Sequence, residues 1–376
     1  MTKELNPWHS RPIDVHRWSE HPEVGAIVDN LWTEHFSHYG AEDSRTGPKP
    51  KTTFRNQLRV VILDLYVAWH DDPTLCIGVP MSANGWNTNS RYNAIHLSKA
   101  IILIVQHLHK VGLIDLAAGS YSGPYAKGNR NTRIRATEQL QEIFQGAGFG
   151  RDDVGKVGNQ ECIILKQGDE AGDGSKQQEY EDTELTNQMR HDLQAYNALL
   201  SSAFIDIPSL EGPYIDVPIT KGPETGGTKH QPIDQGHKFV RRIFSRGDWG
   251  LNGRFYGGWW QQIGSDLRSQ IFINDKPTVE VDFKGLHVAI LSLENGVALE
   301  GDPYELPEGT IPGVPAVMQR SLIKQLILIA INAGNKESAY RSFRDGFPTG
   351  HIAKSMKNAT LHGLISAFVA KHPQLE

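Results

Sequence analysis

Apolar positions along this chain recur mostly three and four residues apart, the spacing of an amphipathic helix. Residues 53–70 (TFRNQLRVVILDLYVAWH) show it most strongly, and residues 97–111 repeat it up to Gly112. The same rhythm predicts helices over 23–37, up to Phe144, and over 180–204, 237–244, 320–333, 336–343 and 361–370. A period of two predicts strands at only two places. One is 161–166 (ECIILK). The other is 278–283 (TVEVDF), where Val279 and Val281 alternate with Glu280 and Asp282. Gly285 then marks the passage from strand to a helix that begins near His287.

Stretches rich in Pro, Gly and polar residues punctuate these elements. They fall at 45–51, 119–131, 167–176, 205–236 and 307–315. The divisions predict an N-terminal helical segment and linker (1–51) and a compact helical module (52–149). A helix and linker region (150–236) and a C-terminal region (237–376) follow. The class expected is α+β. At 376 residues the chain is long enough for two or three domains with their own cores.

Charge changes the picture locally. The formal net charge is −5, so nothing global advertises a polyanionic partner. Yet residues 316–357 hold seven Lys/Arg against two Asp/Glu, and Arg241, Arg242, Arg246, Arg254 and Arg268 lie just upstream. The two cysteines, Cys76 and Cys162, lack metal-ligand spacing and read as buried, reduced thiols of a cytoplasmic protein. The opening residues are polar, without the pattern of a signal peptide. No apolar run is long enough to span a bilayer. The sixteen His form no zinc pattern.

Candidate chemistry starts at Asp282. An acid closing a core strand is costly unless compensated, either by a bound divalent cation or by capping the following helix. Downstream, Arg320 and Lys324 stand four apart and share a helix face. They lie opposite an apolar face of Leu322, Ile323, Leu326, Ile327 and Ile331. Two cations so placed suit a triphosphate; a solvated basic stripe is the alternative. Trp259 and Trp260 are adjacent, so one is expected inward and one outward.

The order of these residues resembles family A DNA polymerases and the related phage single-subunit RNA polymerases. Their palm reads roughly T-G-R-L, Q-N-I-P, R, and a strand ending D-Y-S-x-I-E-L-R. Here Gly253-Arg254-Phe255, Gln261-Gln262-Ile263-Gly264, Arg268 and Val281-Asp282-Phe283-Lys284-Gly285-Leu286-His287 follow in that order. The family's fingers helix carries Arg, Lys four residues on, then Tyr-Gly. Arg320 and Lys324 match it, with Asn332-Ala333 in place of Tyr-Gly. Asp302-Pro303-Tyr304 resembles the acidic-hydrophobic step between the two motifs, or is a plain turn.

The resemblance implies a polymerase-like palm and fingers over 237–376, using Mg2+. Asp282 and the carbonyl of Phe283 would be metal ligands. Arg320 and Lys324 would be catalytic and bind the nucleoside triphosphate, with Asn332 and His287 beside it. Arg254, Arg268 and Gln261 would hold DNA, or an RNA primer or template. His287 stands where the family has its sugar-discriminating Glu, which leaves the choice of dNTP or NTP open. The family's second acid, on a hairpin after the fingers, has no counterpart here: after Asp345 the only acid is Glu376. That predicts a shortened chain, a partner that supplies the acid, or a protein without catalysis.

The module over 52–149 resembles in architecture the winged-helix modules of plasmid and phage replication initiators. Arg130, Arg133 and Arg135 would then lie on or beside the wing, where phosphate contacts are typical. A helical scaffold with an exposed loop is the other reading. Together these features imply a priming replicase or DNA polymerase of a phage or mobile element, acting with other replication proteins and no membrane. The alternative is a non-catalytic DNA-binding initiator or regulator.

Overall fold

The computed structural model of the chain describes residues 5–6, 9–39, 50–122, 129–168, 176–212, 214–218, 226–233, 235–311 and 314–375. The loops expected over 45–51, 119–131, 167–176, 205–236 and 307–315 fall partly outside these residues. The fold mixes helices and strands and divides into two compact units, Met1–Val279 and Glu280–Glu376.

The first unit holds two cores. Strand β1 (Ser10–Pro12) precedes helices α1 (Pro22–Leu31) and α2 (Phe54–Asp71). Then come β2 (Cys76–Val79), α3 (Ala100–Lys110), β3 (Ile114–Ala117), β4 (Thr132–Ala136) and α4 (Glu138–Gln145). The strands form one sheet in the order β1-β2-β4-β3, parallel only between β1 and β2. The hydroxyl oxygen of Thr53 caps α2 by accepting from the Asn56 amide. Leu58, Val61, Leu65, Ile101, Ile104, Leu108, Ile134 and Leu140 are buried together in the first core. Helical spacing in the sequence and burial in the fold therefore coincide for α2 and α3.

The second core is built on β5 (Ile163–Gln167), α5 (Glu184–Ser202), β6 (Arg241–Ser245) and β7 (Asp248–Tyr256). β6 runs parallel to β5 and antiparallel to β7. The helix expected over 237–244 is thus replaced by a strand. Eight residues are too few for a stable isolated helix. Pairing on both edges satisfies the β6 backbone, and Phe244 is buried in the core. Both thiols are free and buried, and burial pushes the pKa of Cys162 up to about 11, which makes it a poor nucleophile. Among the described residues no helix is long and apolar enough to cross a membrane.

Arginine ties the first unit together. Arg91, from the loop after β2, donates to Asp182 at 2.9 Å and lies 3.6 Å from the Tyr180 ring centre. Arg190 of α5 donates to the same Asp182 at 2.7 Å and to Glu161 at 3.2 Å. Inside the first core the fully buried Asp64 carboxylate accepts twice from Arg11, at 2.8 and 2.9 Å. It also accepts the Asp14 amide at 2.9 Å and the buried Arg17 Nε at 3.3 Å.

The second unit contains α6 (Leu286–Glu294), α7 (Ala316–Asn332), α8 (Lys336–Asp345) and α9 (Asn358–Lys371). Val288, Tyr304, Leu322, Ile323, Leu326, Phe343, Leu361 and Phe368 form its core.

Loss of the Asp64 carboxylate is costly because the buried Arg17 and the half-buried Arg11 guanidiniums share it. Asp64→Ala should lower the unfolding free energy by about 3–5 kcal/mol in a urea titration. A loss below about 1 kcal/mol would mean that the cluster is solvated or relaxes freely.

Candidate active site

The segment carrying Asp282 is not the strand its alternation predicts. Residues 278–283 make no ladder among the described residues, and Val279, Val281 and Phe283 are 85%, 81% and 73% exposed. The pattern is present, but among the described residues no second strand pairs with it. Asp282 is itself exposed, so the burial cost that would call for a compensating cation is absent. Nor does it cap the following helix, because α6 starts after Gly285.

Gly285 is required where it stands. Its φ of +65° lies in the left-handed region, and a Cβ there would come within 2.5 Å of Pro303 Cγ. This approach lays the Lys284–Gly285 turn on the Asp302-Pro303-Tyr304 step. Lys284 Nζ is 3.6 Å from the Asp302 carboxylate. The same carboxylate accepts from Arg320 Nε at 2.6 Å and from the Tyr304 amide at 3.0 Å. Burial alone would push the Asp302 pKa up. The Arg320 and Tyr304 hydrogen bonds, with the charges of Arg320 and Lys284, outweigh burial and hold it below its ordinary value.

Arg320 and Lys324 lie on α7, whose inner face of Leu322, Ile323, Leu326 and Ile327 is buried; Ile331 is 40% exposed. Buried Gln319 fixes the start of this helix. Its Oε1 accepts the Ile311 amide at 2.9 Å, and its Nε2 donates to the Pro307 carbonyl at 2.9 Å. Arg320 is half-exposed and clamped by Asp302, whereas Lys324, one turn on, is exposed and has no ion-pair partner among the described residues. His287 is exposed on the first turn of α6. Asn332 is exposed at the end of α7, its amide donating to the Leu328 carbonyl at 2.8 Å.

The remaining expected contacts belong to the first unit. Arg254 is exposed on β7 without a carboxylate partner among the described residues. Gln261 clamps its own loop, donating to the Phe255 carbonyl and accepting the Gly257 amide, both at 2.9 Å. Arg268 donates to the Ile263 carbonyl at 2.9 Å. Trp259 is buried and Trp260 half-buried, as their adjacency predicts. Arg130 pairs through its backbone with Ser120, at the foot of a loop whose tip (123–128) lies outside the described residues. Arg133 and Arg135 are half-buried on β4, and Arg135 donates to Asp115 at 2.8 Å.

The structure therefore gathers Lys284, Asp302 and Arg320 at one point of the second unit, with Lys324 a turn away. Lys284 and the clamping role of Asp302 escape a reading of the sequence. The only signal was the Asp-Pro-Tyr step, and nothing in its spacing says which cation it meets. Among the described residues no group of three or more His, Cys, Asp or Glu is placed to hold a metal ion. Asp282 with the Phe283 carbonyl is fewer donors than two magnesium ions take. No family model, no curated protein and no solved structure matches this chain.

Because Arg320 is half-exposed, its pair with Asp302 should stabilise the second unit modestly. Asp302→Asn is expected to cost about 1 kcal/mol near neutral pH. A depressed folded pKa makes this contribution complete above the unfolded carboxylate value of about 3.9 and removes it as pH falls through the folded value. Urea titrations of both proteins should therefore converge below about pH 4. A gap that is constant with pH would exclude an ionic clamp.

Proposed function

We propose that the chain is a template-dependent nucleotidyltransferase, a DNA polymerase or priming replicase of the phage and mobile-element kind. The observation that carries this reading is the clamp at Asp302. It ties the turn that follows Asp282 to the helix that presents Arg320 and Lys324, and those are the two motifs whose order resembles the polymerases. In this reading Lys324 meets the triphosphate and can give a proton to the departing pyrophosphate, while Arg320 neutralises charge on it. Asn332 and His287 flank the nucleotide. Asp282 is one carboxylate available to Mg2+, and the reading assigns it no more than that. Arg254 and Arg268 hold the nucleic-acid backbone.

The first core supports a DNA-binding role. What supports this is its order α2, β2, α3, β3, β4, with β4 between β2 and β3, an order compatible with the winged-helix reading. Arg130 stands at the foot of the β3–β4 loop, in the place of the wing.

A second reading, a DNA-binding protein without catalysis, is favoured by one observation: Asp282 is exposed and belongs to no group of three or more His, Cys, Asp or Glu placed to hold a metal ion among the described residues.

Primer extension on a primed DNA template with magnesium, first with dNTPs and then with NTPs, separates the two. Incorporation by the native chain that falls at least about 100-fold in Asp282→Ala supports the enzyme. Incorporation unchanged in that variant contradicts the metal assignment, and filter binding without incorporation supports the second reading. For the first core, Arg133→Ala with Arg135→Ala should lower the slope of log affinity against log salt by about 1–2. An unchanged slope removes β4 from the DNA interface.

A further inference from the structure

The second core carries a cavity that neither its packing nor the proposed chemistry uses. It lies between α5 and the β6–β7 hairpin, with a volume of about 390 Å3. Tyr196, Phe255, Trp260, Arg242 and Asp192 line it. Tyr196 is 43% and Phe255 50% exposed, although both stand beside a buried core. Their ring centres are 6.2 Å apart at 74°, an edge-to-face contact.

Arg242 is set into this wall. Its guanidinium lies 4.8 Å from the Phe244 ring centre and 5.8 Å from that of Phe255, and its Nε donates to the Gly253 carbonyl at 2.9 Å. Gly253 makes room for it. Its φ is +72°, and a Cβ there would come within 2.7 Å of the Phe244 ring and 3.0 Å of Arg242 Nη2. Arg242 has no carboxylate partner among the described residues, and neither does Arg254 on the neighbouring strand.

We propose that this cavity receives a base of single-stranded nucleic acid, stacked against Tyr196 and Phe255, with Arg242 on the adjoining phosphate. Half-exposed rings beside a held guanidinium without a carboxylate partner among the described residues suit a planar base joined to an anion. A neutral apolar peptide would fill the same volume and leave the Arg242 charge unmatched. The inference rests on the nucleic-acid reading above and goes beyond it, because it requires no catalysis.

The test is fluorescence anisotropy with two labelled single strands of equal length, an oligothymidylate and an abasic oligomer. The native chain should bind the base-bearing strand about tenfold more tightly or better, the effect of one stacked base. Tyr196→Ala with Phe255→Ala should abolish the preference, and Phe255→Tyr should retain it. Arg242→Gln should keep the preference and lower the salt slope by about 1. Circular dichroism melting of each variant checks folding, which the exposure of both rings should preserve.

Equal binding of the two strands by the native chain overturns the proposal. So does a preference that survives in the double alanine variant while Phe255→Tyr is folded, or a neutral proline-rich peptide that displaces the oligothymidylate. Asp282→Ala should keep the preference whatever its effect on incorporation. The cavity and the polymerase reading therefore fail separately.

Discussion

The Asp302 carboxylate is the contact on which the candidate site depends. It takes a hydrogen bond from Arg320 at 2.6 Å and one from the Tyr304 amide, with Lys284 at 3.6 Å. Three sequence neighbourhoods therefore share one anion: the turn after Asp282, the Asp-Pro-Tyr step, and the first turns of α7. The contact works because Gly285 admits a left-handed turn against Pro303 and because Gln319 locks the start of α7. Arg320 is positioned by it, while Lys324 is exposed on the same helix without an ion-pair partner among the described residues.

The first unit spends its charges differently. Asp64 and Asp14 meet Arg11 and Arg17 in one cluster, and Arg91 and Arg190 are paired by Glu161 and Asp182. Arg135 is likewise engaged by Asp115. Arginines of the β6–β7 hairpin are among the exceptions: neither Arg242 nor Arg254 has a carboxylate partner among the described residues, and Arg242 opens onto an aromatic cavity.

Helices long enough to repeat their apolar spacing were legible in the sequence: α2, α3, α5, α7, α8 and α9 lie where the pattern puts them, within a few residues. So was β5. Two shorter segments were not. Residues 237–244 look amphipathic at helical spacing, yet strand pairing on both edges decides the state of Arg241–Ser245. Residues 278–283 alternate perfectly, yet a strand needs a neighbour, and no spacing within one segment reports whether a neighbour exists. At the candidate site the cations on α7 could be read from their i, i+4 spacing. Their anion could not, because it arrives through a turn whose geometry rests on one glycine and one proline.

In the proposed function α7 presents Lys324 to a triphosphate while Asp302 holds Arg320 beside it. The most direct test of this is the dissociation constant of a magnesium–deoxynucleoside triphosphate, measured by equilibrium dialysis for the native chain and for Lys324→Ala. Lys324 is exposed, so its truncation should leave the fold intact. The account predicts at least about tenfold weaker binding, the loss of one charge-assisted contact. Equal affinity in the two proteins would contradict it and leave α7 as an ordinary basic helix.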